Sequence, residues 1–214
     1  MRPTPQRRSR AVPTGVRVSV RAVMGVHLTR IYTRTGDQGD TRLGDMSLVR
    51  KDDLRVNAYG EVDELNAVLG VVRLQELPQG WDDRLGRIQN DLFDLGADLA
   101  VPMTAEGTHL RITGEQVVVL EQWCDEVNDT LNPLDSFVLP GGTAAAAHLH
   151  VARTVARRAE RATVMLSDHE EIGTFVIAYL NRLSDLFFIL ARGSNHAVGR
   201  PDVLWVPGGG SAQA

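Results

Sequence analysis

The sequence contains very little cysteine and very little lysine. Its one cysteine is Cys124, and among its 23 basic residues Lys51 is the only lysine, the other 22 being arginine. A chain with one cysteine can form neither an internal disulfide nor a thiolate metal cluster of its own. Cys124 falls in the apolar register of a helical pattern, which predicts a packed core residue and not a nucleophile. The scarcity of cysteine favours a reducing, cytoplasmic setting.

Long apolar runs and early acidic residues are also missing. No apolar run approaches the roughly 18–20 residues of a membrane-spanning helix, since the longest candidate, 183–191, is interrupted by Asp185. Residues 1–36 contain eight arginines and no acid, which leaves residues 37–214 with 15 basic and 27 acidic side chains. An acidic body excludes a general nucleic-acid surface, although local basic clusters can still bind phosphate.

Three segments are predicted along the chain. Residues 1–25 carry scattered Arg, Pro and Gly without periodicity, which predicts a disordered leader. A flexible extension, a translation start at Met24 and an organellar transit peptide are the alternatives, and the low serine content favours the first two. The protein is expected to be mitochondrial only if the leader is a transit peptide. Residues 26–206 are predicted to form a helical domain and residues 207–214 a flexible tail.

The patterned part of the sequence predicts an all-α fold, a five-helix antiparallel bundle preceded by a polar, glycine-bearing loop over residues 30–50. Apolar residues recur at helical spacing in five segments, and alternating strand patterns between them are scarce. The predicted helices cover residues 52–74, the leucine stripe at 85–99, the region around Cys124, a stretch from 143 to about 166, and a stretch from about 170 to 198.

The first candidate functional segment is the loop TRTGDQGDTR at residues 33–42. Its two glycines allow close backbone approach, and its hydroxyls, amides and arginines can bind phosphate oxygens. Its acids could also hold Mg²⁺, directly or through water. The chain has no Walker A motif, and a stretch of this composition alone is more often an ordinary turn.

The second candidate is the spacing of Arg153, Arg157 and Arg161, which places three cations on one face of a helix. Two explanations fit this pattern equally well. The arginines form a solvated face, or they form an interior face and require a triphosphate or carboxylates as partners. The third candidate is the polar stretch at residues 181–185 inside an apolar helix.

Two spacings that suggest metal ligands are rejected. Glu106 and His109 have the spacing of a di-iron ligand pair, but the pair is single and lies in a predicted loop. His148 and His150 diverge on a helix because they are two residues apart. We therefore predict no metal site built from these residues.

Five blocks in the family's order and spacing resemble the PduO-type ATP:cob(I)alamin adenosyltransferases. They are IYTRTGDQGDT (31–41), AYGEVDELNA (58–67), FVLPGG (137–142), LHVARTVARRAER (149–161) and YLNRLSDLFFILAR (179–192). Each block alone is weak, but five in order are specific. Arg34 and Gln38 stand where many relatives have lysine, which would alter ATP affinity and not the chemistry.

The resemblance implies an enzyme that transfers the 5′-deoxyadenosyl group of ATP to the cobalt of cob(I)alamin, and a homotrimer with active sites between subunits. Its expected ligands are ATP, the Mg²⁺ that accompanies the ATP phosphates, and cob(I)alamin. A flavin-type reductase and an adenosylcobalamin-dependent mutase are candidate partners, and neither nucleic acid nor a membrane is expected. A carrier that stores or delivers adenosylcobalamin and a purely structural oligomer are the competing hypotheses.

The resemblance also implies residue roles. Asp63 and Arg153 match an ion pair across the subunit interface, Phe137 matches an aromatic residue facing the corrin ring, and Arg157 completes the catalytic set. The positions that match nucleotide contacts are Thr33, Arg34, Thr35, Gly36, Asp37, Gly39, Thr41, Arg42, Lys51, Arg157, Arg158, Ala159, Glu160, Arg161 and Asn181. Cobalt itself is the nucleophile in such a reaction, so the protein needs to align the reactants and stabilise the leaving triphosphate. An apolar pocket at Phe137 would favour loss of the cobalt's lower axial ligand.

Overall fold

Five helices and one short hairpin make up the part of the chain that the structure describes. This computed structural model describes residue 32 and residues 34–208, and the boundary between two structural units falls between residues 34 and 35. The second unit begins with an antiparallel hairpin of β1 (Asp40–Arg42) and β2 (Leu48–Arg50). The helices that follow are α1 (Leu54–Val72), α2 (Trp81–Ala100), α3 (Gly114–Asn128), α4 (Ala144–Ser167) and α5 (Val176–His196). The predicted leader, residues 1–25, lies outside the described residues.

The directions of the helices follow from contacts between their ends. Arg73, which caps the end of α1, donates from Nε to Asp82 in the first turn of α2 at 2.6 Å. Thr143, which caps the start of α4, donates its backbone N–H to Asn195 Oδ1 near the end of α5 at 2.9 Å. Each contact joins the end of one helix to the start of another, and the two helices of each pair also pack side by side, so these helix pairs are antiparallel. The predicted five-helix antiparallel bundle is confirmed.

The core is built from leucines on most helices and from alanines on α4. Helix α4 packs against both α5 and α1, and small side chains allow backbones to approach closely. The apolar residues of α4 that are fully buried are Ala146, Leu149, Ala152, Ala156, Ala159 and Leu166. Each buried leucine contributes about 1.5–3 kcal/mol relative to an exposed one. The same alanine face fixes which α4 residues point outward, and these include Arg157 and Arg161.

Helix α5 begins at Val176, six residues later than the sequence predicts. The residues before it form a linker in which Gly173 lies against the buried carboxylate of Asp98. A Cβ on Gly173 would be 2.4 Å from Asp98 Oδ2, so this approach requires glycine. Ile172 still packs against the core from the linker. The apolar pattern therefore continues beyond the helix, which is why periodicity alone placed the start of α5 too early.

The hairpin was predicted only as a polar loop. Each of its strands has three residues, too few for an alternating pattern to be visible in the sequence. Leu43 is buried, and Gly44 donates its N–H to the carbonyl of Ala100 at the end of α2 (2.8 Å). The hairpin is thus attached to the bundle at the end of α2.

None of the described helices combines the length and apolar composition needed to cross a membrane.

Candidate active site

The glycine-bearing loop and Lys51 lie together at the hairpin. Gly39 donates its N–H to the carbonyl of Gly36 (3.2 Å), and Lys51 donates its N–H to the carbonyl of Gly39 (2.8 Å). The Lys51 ammonium is 3.1 Å from the place that a Cβ on Gly36 would occupy, and Gly39 has a φ of +91°. Gly39 is favoured by its backbone conformation, and a side chain at Gly36 would crowd the Lys51 ammonium. The fold brings the only lysine of the chain to the predicted phosphate-binding loop.

The remaining loop positions have different surroundings. Thr41 pairs with Val49 in the hairpin register, and Arg42 donates from Nη1 to the carbonyl of Met46 at 2.8 Å, which ties together the turn of the hairpin. Asp37 and Thr35 are exposed in the part of the chain that is described. Arg42 therefore stabilises the hairpin turn in this structure, with its side chain still at the surface.

Two predicted nucleotide contacts precede the bundle unit. Arg34 belongs to the first unit, where its guanidinium lies 5.6 Å from the centre of the Tyr32 ring. Its φ of +61° is unusual for a residue with a side chain. Thr33 lies outside the described residues.

Helix α4 presents Arg157 and Arg161 to solvent without a carboxylate partner among the residues from 34 to 208. Arg161 Nη1 donates to the carbonyl of Arg157 at 3.1 Å. Arg158, between them, instead donates to Glu61 (Nε, 2.5 Å) and to Glu64 on α1, and these carboxylates raise the pKa of the Arg158 guanidinium. The fold thus neutralises Arg158 and leaves the charges of Arg157 and Arg161 available.

A polar seam between α4 and α5 lies beside these arginines. Asn181 donates from Nδ2 to Glu160 Oε1 at 3.0 Å, and Arg182 donates to Glu121 of α3 at 2.9 Å. Both Asn181 and Glu160 are half-buried, whereas Ala159 is fully buried in the core. The seam therefore brings Asn181 of α5 next to Glu160 of α4, and both are predicted nucleotide contacts.

Arg153 lies two turns before Arg161 and is half-buried with its Nε without a partner in the described part of the chain. Burial, and then the nearby charge of Arg157, lower the pKa of the Arg153 guanidinium. An unpaired nitrogen removed from solvent is a destabilising arrangement unless an anion completes it. Arg153 therefore lacks a counter-ion within its own described chain.

Asp63 lies elsewhere, on α1. It is exposed and lines a groove of about 240 Å³ between α1 and α2, together with Phe93, which is 70% exposed. Its neighbours Glu61 and Glu64 reach Arg158 on α4. The fold does not bring Asp63 and Arg153 together within one described chain, and an ion pair between them requires a second copy.

Phe137 is 77% exposed and belongs to a short two-stranded segment next to α5. Trp205 donates its N–H to the carbonyl of Phe137 at 2.7 Å, and Leu139 donates its N–H to the carbonyl of Val203 at 2.8 Å. The rings of Phe137 and Trp205 have centroids 6.1 Å apart and are inclined by 59°. The aromatic residue that the sequence singles out is thus presented to solvent beside a second aromatic residue.

His150 and Cys124 have shifted acid–base properties. His150 is 3% exposed, both of its ring nitrogens lack partners among the described residues, and burial and then Arg153 lower its pKa, against an opposing effect of Asp202. Burial, reinforced by Asp185, raises the pKa of Cys124 to about 11. A thiol this weakly acidic is a poor nucleophile, which agrees with the predicted packing role, since Cys124 packs against the core.

Sequence reasoning missed the acidic partners of the arginines. Glu61 and Glu64 are three residues apart on α1, a spacing that places them on one helix face. Two carboxylates on one face indicate a basic partner, and this spacing is visible in the sequence. For Glu121 no comparable signal exists, because its partner Arg182 is 61 residues away and meets it only through helix packing.

The chain is similar in sequence to known proteins of one family. A profile of the cobalamin adenosyltransferase family matches residues 31–194. The chain is 53% identical over 194 residues to a corrinoid adenosyltransferase of Mycobacterium leprae, covering 87% of this chain and all of the relative. It is 44% identical over 178 residues to a corrinoid adenosyltransferase of Bacillus subtilis, covering 81% of this chain and 91% of the relative.

Solved structures agree with these sequence relatives. A variant of a PduO-type ATP:corrinoid adenosyltransferase from Lactobacillus reuteri, complexed with cobalamin and ATP, is similar with a TM-score of 0.80 and 42% identity. The match covers 82% of this chain and 99% of that structure. The fold therefore defines a helical-bundle protein of the PduO type. The chain belongs to the cobalamin adenosyltransferase family.

Proposed function

We propose that this protein is an ATP:corrinoid adenosyltransferase, which transfers the 5′-deoxyadenosyl group of ATP to the cobalt of cob(I)alamin. The observation that carries the site assignment is the contrast along α4, where Arg158 is neutralised by two carboxylates while Arg157 and Arg161 have none among residues 34–208. Two guanidinium groups one turn apart that have no carboxylate partner among these residues form a binding surface for a polyphosphate.

The reaction is a displacement at the 5′ carbon of ATP. The cobalt of cob(I)alamin supplies the electron pair, a cobalt–carbon bond forms, and the bond between the 5′ carbon and the triphosphate oxygen breaks. The products are adenosylcobalamin and tripolyphosphate. Because negative charge gathers on the leaving oxygen, fixed cations near it lower the barrier, and removing one such group typically costs on the order of 10²–10³-fold in rate.

The residues of the hairpin and of α4 and α5 have separate roles in this proposal. Lys51 and the backbone of the loop at Gly36 hold the phosphates, and Arg157 and Arg161 stabilise the leaving triphosphate. Asn181 and Glu160, already hydrogen-bonded to each other, are polar contacts for the nucleoside. Mg²⁺ accompanies the ATP phosphates in this proposal and would neutralise part of their charge.

The active site is assembled between subunits of a homotrimer. Asp63 lies on an α1–α2 groove and Arg153 on α4, so an ion pair between them joins two different surfaces of two copies. Contacts of this heterologous kind generate a closed ring when the rotation between neighbouring copies divides a full turn, and three copies form such a ring in this proposal. The half-buried Arg153, with its unpartnered Nε, obtains its counter-ion from Asp63 of the neighbouring subunit. This interface would bring the hairpin side of one subunit toward the arginines of another.

The corrinoid lies against Phe137, whose ring is already exposed and apolar. An apolar surface beneath the corrin disfavours the polar lower ligand of the cobalt and eases formation of the strong nucleophile cob(I)alamin. A flavin-type reductase supplies the electron in this proposal, an adenosylcobalamin-dependent mutase receives the product, and the reaction takes place in the cytoplasm. The scarcity of cysteine supports the cytoplasmic setting.

The direct test is a turnover assay. The full chain is incubated with ATP, Mg²⁺ and chemically reduced cobalamin under anaerobic conditions, and adenosylcobalamin is followed by its visible spectrum and tripolyphosphate by chromatography. Both products are expected in equal amounts over many turnovers. Absence of either product overturns the assignment, and a single stoichiometric equivalent of adenosylcobalamin would instead indicate a carrier.

A further inference from the structure

Phe137 is held by a narrow structure, which we name the C-terminal ribbon. It consists of residues 136–139 and residues 203–205, joined by the backbone hydrogen bonds at Phe137 and Leu139 described above and by the bridge between Val138 and Leu204. Ser136 adds a side-chain bond from Oγ to the carbonyl of Trp205 (2.8 Å). A two-stranded unit of this length is marginal in water by itself, so its position depends on what anchors it.

The anchor is Arg192, near the end of α5. Its side chain is 6% exposed, and its Nε donates to Asp202 Oδ2 at 2.7 Å, where Asp202 is 16% exposed. Its Nη2 donates to the carbonyl of Asn132 at 2.7 Å. Asp202 directly precedes one ribbon strand and Asn132 precedes the other by four residues. One buried guanidinium therefore ties both strands of the ribbon to the helical bundle.

We propose that Arg192, Asp202 and Trp205 are positioning residues for Phe137. The Arg192–Asp202 ion pair fixes the ribbon, and the Trp205 ring limits the orientations of the exposed Phe137 ring. This inference rests on the proposed role of Phe137 in facing the corrin. None of the three residues needs to touch a substrate for the effect to occur.

These residues can position Phe137 because its ring is exposed, whereas the Arg192–Asp202 ion pair that holds the ribbon is buried. An aromatic ring that is 77% exposed has few neighbours to select its rotamer, whereas an ion pair buried to this extent is stiff and costly to break. A displacement of about 1 Å at a reacting centre can cost about 10²-fold in rate. A rigid ribbon therefore helps to keep the cobalt of the corrinoid aligned with the 5′ carbon of ATP.

The test uses Asp202→Asn and Trp205→Ala in the full chain, with Phe137→Ala as the reference. Asp202→Asn keeps the shape of the side chain and removes its charge, and Trp205→Ala removes the ring contact. Matched controls are Asp168→Asn, an exposed carboxylate at the end of α4, and Phe175→Ala, an aromatic residue that is 40% exposed at the start of α5.

Three quantities are measured for each variant: kcat/KM for the corrinoid, the dissociation constant for ATP, and the fraction of bound cob(II)alamin that has lost its lower ligand, by electron paramagnetic resonance. Both positioning variants are expected to lose about 10–100-fold in kcat/KM for the corrinoid and to lower the fraction without the lower ligand. The ATP dissociation constant and both controls are expected to match the unmodified protein. A purely structural role would weaken ATP binding as well, because the whole fold would be affected.

A double-mutant cycle separates this inference from the function it rests on. If Trp205 acts through Phe137, adding Trp205→Ala to Phe137→Ala changes kcat/KM little further. Fully additive losses, or positioning variants that behave like the unmodified protein while Phe137→Ala is impaired, overturn the inference alone. A Phe137→Ala variant with unchanged corrinoid kinetics and spectrum overturns the proposed role of Phe137 instead.

Discussion

The interface between subunits allows a charge-reversal experiment on Asp63 and Arg153. In the single chain Asp63 is exposed, and the Nε of Arg153 is buried without a partner among the described residues. Breaking a buried charge pair at an interface typically costs about 2–5 kcal/mol. Releasing one subunit from a three-membered ring breaks two such interfaces, so Asp63→Arg is expected to weaken the trimer by roughly 4–10 kcal/mol per released subunit.

The assay is sedimentation velocity over a range of protein concentration, combined with the turnover assay. Asp63→Arg and Arg153→Asp are each expected to shift the protein toward monomers and to lose activity. The double variant restores an ion pair of reversed sense and is expected to recover the trimer. Activity would recover only in part, because Arg153 also borders Arg157. If both single variants sediment and turn over like the unmodified protein, or if the double variant is more dissociated than either, the proposed pair is wrong.

Three further predictions concern single side chains. Arg157→Ala and Lys51→Ala are each expected to lower kcat by about 10²–10³-fold with an unchanged melting temperature, and a variant with normal kcat would remove that residue from the site. Because burial lowers the pKa of His150 below its unfolded value of 6.5, the unfolded chain binds more protons, and stability is expected to fall as the pH drops through about 6.5. His150→Gln should flatten this dependence in urea titrations at several pH values, whereas the exposed-site control His169→Gln should retain it; equal slopes would refute the assignment. Cys124, with a pKa of about 11, is expected to react with a thiol reagent at pH 8 far more slowly than free cysteine, and equal rates would contradict its burial.

The bundle could be predicted from the sequence because its helices carry a local signal. Leucines at steps of three and four along α2 and alanines along α4 occur at the period of a helix, so the side chains that pack inward are visible without coordinates. The start of α5 was misplaced because Ile172 continues the apolar pattern in a linker, where Gly173 accommodates the Asp98 carboxylate. Nothing local distinguishes such a linker from a helical turn.

Some features of the candidate site could be predicted from the sequence and others could not. The spacing of Arg153, Arg157 and Arg161 on one face was predictable, but spacing could not show that Arg158 is neutralised by α1 while Arg157 is not. The contact between Lys51 and the loop at Gly36 depends on the hairpin, whose strands are too short to leave a pattern. Contacts between distant segments are set by packing and are absent from any local window.

The anchoring of the ribbon by Arg192 is another contact of this kind. Arg192 directly follows an apolar stretch and lies inside one of the quoted blocks, but its acceptors are 10 residues later and 60 residues earlier in the chain. A sequence pattern shows that a charge lies in an apolar helix and does not show which segments it joins.

The central claim is that cations from the hairpin of one subunit and from α4 of another act on one triphosphate. Complementation between two inactive variants tests it most directly. Lys51→Ala and Arg157→Ala chains are mixed in equal amounts, exchange of subunits is verified by mass spectrometry, and adenosylcobalamin formation is measured. Random assembly gives roughly one intact site in four, so about a quarter of the unmodified activity is expected to return. If verified mixed trimers remain as inactive as their parents, Lys51 and Arg157 do not act across the subunit interface.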